Sequence, residues 1–85
     1  MDYIAVTFRS RGHTVKFYEF LKKKGIYAEM INTPKEAGVG CGLSVKISTE
    51  KFALIKRLVH NASLNSFAGF FYVKQVGGKR MVRSI

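Results

Sequence analysis

Two stretches of this chain repeat apolar residues at helical spacing, and each is flanked by runs that alternate as strands do. In a chain of 85 residues that arrangement admits very few folds. In the first stretch Thr14, Phe17, Tyr18 and Leu21 fall at i, i+3, i+4 and i+7; Ser10 stands as N-cap, and Lys22, Lys23 and Lys24 crowd the last turn before Gly25. In the second, Phe52, Ile55, Leu58, Val59 and Ala62 make a stripe after a Ser48 or Thr49 cap, ending near residues 60–62. Strands are expected at 3–8, 26–31, 43–47 and 67–76, the third setting Leu43, Val45 and Ile47 against Ser44 and Lys46. Residues 32–42 break both patterns and read as a loop, in which Thr33, Pro34 and Glu36 resemble a capping-box start to a turn that the glycines soon end. Gly77-Gly78 offers a two-residue turn, so residues 79–82 either fold back as a fifth edge strand or form a basic tail.

The order βαββαβ, with right-handed crossovers, gives a four-stranded antiparallel sheet in spatial order 4-1-3-2 and two helices on one face. This is the ferredoxin-like α+β plait, expected as one domain over 1–76 with 77–85 as the edge strand or tail. The length excludes a multidomain enzyme, and 47% hydrophobic residues with a single proline is a globular composition. The plait hosts unrelated functions, so function must be argued from particular residues.

Fifteen Lys and Arg against five Asp and Glu leave a net charge of +10, which favours anionic partners. The one cysteine, Cys41, excludes an internal disulfide and points to a reducing compartment. In a plait the start of the third strand lies beside the end of the first and the start of the first helix. Cys41 is therefore expected near the turn that carries Arg9, Ser10, Arg11 and His13, where cations and helix N-terminal amides favour a sulfur anion or a small oxyanion. Gly40 and Gly42 on either side leave the sulfur sterically open and let the backbone form an anion-binding nest. The competing reading is a packed cysteine acting as a small hydrophobe, and the residues leave both open.

Other chemistries find less support. The glycine loop lacks the Gly-Lys-Ser/Thr of a phosphate-binding loop and the third glycine of a dinucleotide site. His13 and His60 have no carboxylate or cysteine at ligand spacing, so neither a metal nor a bound cofactor is expected. An RNA-recognition sheet would place aromatics where this third strand has Ser44 and Lys46. Tyr3, Tyr27 and Tyr72 are candidates for the open sheet face, as its cover or as a surface pairing two copies of the chain. No segment approaches the roughly 20 apolar residues of a membrane span, and no signal-peptide pattern follows Asp2, so a cytoplasmic protein without a membrane partner is expected.

The V-T-F-x-S opening (Val6, Thr7, Phe8, Ser10), His13, the I-N-T-P segment at 31–34 and G-C-G-L-S at 40–44 together resemble a family of small bacterial domains, the Se/S carrier protein-like proteins. The likeness covers roughly residues 3–60; it excludes the apolar and basic C-terminal stretch, and the Cys-Pro-x-Pro motif of better-known sulfur carriers is missing. The resemblance implies that Cys41 carries sulfur or selenium as a persulfide or selenopersulfide; the turn with Arg9, Ser10, Arg11 and His13, together with Gly40 and Gly42, would then stabilise that anion. It implies donor and acceptor enzymes as partners, and a carrier rather than a stand-alone enzyme. The alternative, from charge alone, is a basic module that binds nucleic acid or an acidic protein without chemistry.

Overall fold

A computed structural model describes residues 1–85, with the elements β1 (Asp2–Phe8), α1 (Arg11–Lys23), β2 (Glu29–Asn32), β3 (Leu43–Ile47), α2 (Phe52–Asn61), β4 (Phe67–Val76) and β5 (Lys79–Ser84). The five strands form one antiparallel sheet in the order β2-β3-β1-β4-β5. This is the expected 4-1-3-2 plait read from its other end, with β5 added outside β4. Of the two expectations for the C-terminus, the strand is the one observed. It begins directly after the Gly77-Gly78 turn, whose residues both have positive φ, as a tight hairpin requires.

The main core lies between the sheet and the helices. Ile4, Val6 and Phe8 alternate inward from β1, Val45 and Ile47 from β3 and Phe70 from β4; they meet Phe17 and Leu21 of α1 and Ile55 and Val59 of α2. Phe8 joins the layers, with ring centroids 5.5 Å from Phe17 and 5.8 Å from Phe67. Ser10 caps α1 as expected, its side chain accepting from the His13 amide at 3.2 Å.

Four local expectations change. β2 begins at Glu29 rather than Ile26, because the Gly25 and Ile26 amides close the end of α1 on the carbonyls of Lys22 and Leu21. The turn at Lys35–Ala37 is a short 3₁₀ segment without a side-chain cap, since the Thr33 hydroxyl is taken by Ser44. Likewise α2 is entered through a 3₁₀ turn at Thr49–Lys51, where Ser48 donates to Glu50 instead of capping.

The fourth change concerns the sheet face opposite the helices, expected to be open. Ala5, Thr7, Ser44 and Val73 on that face are 0% exposed and Phe71 is 8% exposed. The 33–42 segment, whose Pro34 is itself buried, crosses part of this face, with Gly40 over Thr7 and Thr33 bonded to Ser44, and it contacts the β4–β5 hairpin. The two meet where Arg80 donates to both carboxylate oxygens of Glu36, at 2.8 and 3.2 Å. This pairing holds the Glu36 carboxyl below its ordinary value. Ser44 is therefore an interior residue. Of the three tyrosines, only Tyr3 lies on this face. Tyr72 is paired with Ile4 on the helix side and Tyr27 lies outside the strands.

Candidate functional site

The 33–42 segment is held at its base and along its length. The Thr33 amide donates to the Gly42 carbonyl at 2.9 Å, extending the β2–β3 ladder by one rung. Beneath it three hydroxyls form a chain: Thr33 Oγ1 lies 2.6 Å from Ser44 Oγ, which lies 3.0 Å from Thr7 Oγ1. Thr7 and Ser44 are fully buried, so this chain satisfies groups that would otherwise be costly to desolvate. Gly40 passes directly over Thr7. A Cβ built on it would press well inside van der Waals distance of Thr7 Cγ2 and come within 3.3 Å of the Phe8 carbonyl oxygen. Its φ of +95° also excludes ordinary side chains.

Cys41 follows, its amide donating to the Phe8 carbonyl at 3.2 Å, so the end of β1 sets its position. Its side chain turns to the helix side of the sheet and is half-buried. Sγ lies 3.6 Å from Thr14 Oγ1 and 3.6 Å from the Leu43 carbonyl oxygen. The buried Thr14 hydroxyl also lies 3.3 Å from the Ser10 carbonyl and 3.4 Å from that of Leu43. Its single proton can therefore be directed to either carbonyl or to the sulfur.

The α1 N-terminus that supplies Thr14 is fixed from a third segment. Ser66 Oγ accepts from the Ser10 amide at 3.2 Å and lies 2.6 Å from His13 Nδ1, while the Arg9 amide donates to the Ser66 carbonyl at 2.7 Å. Cys41, Ser10, Gly40 and Gly42 thus belong to one cluster. His13 belongs to its outer edge, with Nδ1 facing Ser66 rather than the sulfur. Arg9 and Arg11 are exposed, and neither guanidinium makes a hydrogen bond or ion pair within the chain.

Thr14 and Ser66 are the residues that sequence reasoning missed. Thr14 reads as part of the apolar stripe, yet a hydroxyl at an inward helical position is itself a signal of a polar partner. Ser66 carries no comparable mark. The widely separated motifs Thr7-Phe8-x-Ser10, Thr33-Pro34 and Gly40-Cys41-Gly42-Leu43-Ser44 do converge here, through hydrogen bonds or close approach of their backbones.

The sequence model of one family, described as "Putative Se/S carrier protein-like", matches residues 2–68. That span includes every group in the cluster around Cys41 and stops near the start of β4. No curated protein and no solved structure matches the chain. No helix is long and apolar enough to cross a membrane.

Proposed function

Since this chain belongs to the Se/S carrier protein-like family, we propose that it carries sulfur or selenium as a covalent group on Cys41. The observation that supports this most is the setting of the single thiol. It is half-buried rather than sealed, lies between two glycines of positive φ, and has a hydroxyl donor within hydrogen-bonding reach. Nothing lies within 4 Å of the position a Gly42 side chain would take, which leaves room on that side of the sulfur for an added atom and for a donor's approach.

Loading is an exchange. The Cys41 sulfur, as thiolate, attacks the outer sulfur of a donor persulfide R–S–SH; a new S–S bond forms at Sγ, the donor S–S bond breaks, and R–S⁻ leaves and takes up a proton. One sulfur atom moves and no external oxidant or reductant is consumed. Thr14 Oγ1 would donate to the anionic sulfur, and the positive end of α1 would favour the charge. Arg9 and Arg11, free of internal partners, would meet the anion or the incoming donor.

The basic surface would serve docking. Only two of the fifteen Lys and Arg side chains pair with carboxylates, Lys46 with Glu29 and Arg80 with Glu36. An acidic donor or acceptor would associate faster at low salt. The test is uptake of one sulfur atom from a small persulfide, read by intact mass on the protein and on Cys41→Ser. Uptake by the parent alone is expected. Equal uptake by Cys41→Ser would remove the carrier reading and leave binding by charge.

A further inference from the structure

On the other side of β1 from Cys41, the C-terminal half of α2, the 62–66 turn and the start of β4 line an open cleft of about 830 Å³. That is within the range of roughly 300–1,000 Å³ typical of small-molecule sites. Its floor is apolar: Phe67 and Phe70, 4.8 Å apart between ring centroids, with Val59 and Leu64 beside them. Its rim carries Lys56, Arg57 and His60, and no Asp or Glu lines it. Lys56 and Arg57 are exposed and have no carboxylate partner, because the ion pairs of the chain lie at Asp2, Glu29 and Glu36. The carbonyl end of α2 contributes about half a negative charge near the cleft, which two full cations on the rim outweigh.

We infer that this cleft binds a small organic anion with an apolar body. The body would lie on Phe67 and Phe70 and the carboxylate, sulfonate or phosphate would meet Lys56 and Arg57. A second copy of the chain is the poorer occupant, since each carries +10. The inference does not rest on the chemistry of Cys41.

Anilinonaphthalene sulfonate is a suitable probe, being an aromatic body with one fixed negative charge. Titrated into the folded protein, it is expected to give saturable one-to-one fluorescence enhancement and to shift backbone amide resonances within 56–70. The pair Lys56→Glu and Arg57→Glu, shown by thermal melting to remain folded, should weaken binding at least about tenfold. The uncharged analogue phenylnaphthylamine should bind the parent more weakly by a similar factor. Shifts mapping elsewhere, unchanged affinity in the charge-reversed protein, or equal binding of the uncharged probe would each overturn the inference. So would concentration-dependent shifts of the same amides without probe, which would assign the cleft to a second copy.

Discussion

Replacing Gly40 by alanine tests whether the loop that presents Cys41 is held by the contact with Thr7. The new Cβ would overlap Thr7 Cγ2 and sit 3.3 Å from the Phe8 carbonyl, and the backbone is at φ +95°. A non-glycine residue held in such a conformation costs about 1–3 kcal/mol. Overpacking against a buried neighbour adds about 1–3 kcal/mol. The expected loss is roughly 2–6 kcal/mol, set against a total of roughly 4–13 kcal/mol for a chain of this length. Gly42→Ala is the matched control: its φ is +88° but nothing lies within 4 Å of the added Cβ, so only the conformational part applies. Urea unfolding followed by far-UV circular dichroism measures both. Thr7→Ser removes the obstructing methyl and keeps the hydroxyl bound to Ser44, so Gly40→Ala in that background should cost less by about 1–2 kcal/mol. Equal losses for the two glycine variants, or no recovery with Thr7→Ser, would show that Gly40 does not bear on Thr7.

Ser66→Ala removes the shared partner of the Ser10 amide and His13, and should lower stability by about 1–3 kcal/mol in thermal or urea unfolding. Glu36, held low chiefly by its hydrogen bonds from Arg80, should titrate by NMR below the reference value of 4.5 and move up toward it in Arg80→Gln. Because the folded value is the depressed one, the clamp between the 33–42 segment and β5 is fully present above 4.5 and is lost as pH falls through Glu36's lowered value. Loosening of amide protection in 33–42 should follow the same titration. Half-buried Cys41 should be alkylated in the folded protein at a rate that sub-denaturing urea leaves unchanged, whereas a rate that climbs with urea would mean that it reacts only on unfolding.

The elements of this fold are legible where one periodicity dominates. The stripes from Thr14 to Leu21 and from Phe52 to Ala62, and the alternation of Leu43, Val45 and Ile47, all persist in the structure. Topology alone then brings Cys41 beside the end of β1 and the start of α1. What the pattern hides is contact made by irregular segments. Ser44 reads as a solvent-facing strand residue, and its burial depends on a loop whose docking through Glu36 and Arg80 joins residues 44 positions apart. The start of β2 is misplaced because Ile26 has strand-like neighbours yet its amide closes a helix. Hydroxyl partners such as Thr14 and Ser66 leave no period at all, since a hydrogen bond needs two atoms in place and no repeat.

As a carrier, Cys41 must accept a sulfur atom and give it up again. A single experiment follows both steps: isotopically labelled persulfide is given to the protein, excess donor is removed, an acceptor thiol is added, and label is tracked by mass spectrometry on the Cys41 peptide and on the acceptor. Label is expected on Cys41 first, then on the acceptor with the loss from one matching the gain in the other, and neither step in Cys41→Ser. Absence of label from Cys41 in the folded parent, or label that stays there when the acceptor is added, would contradict it.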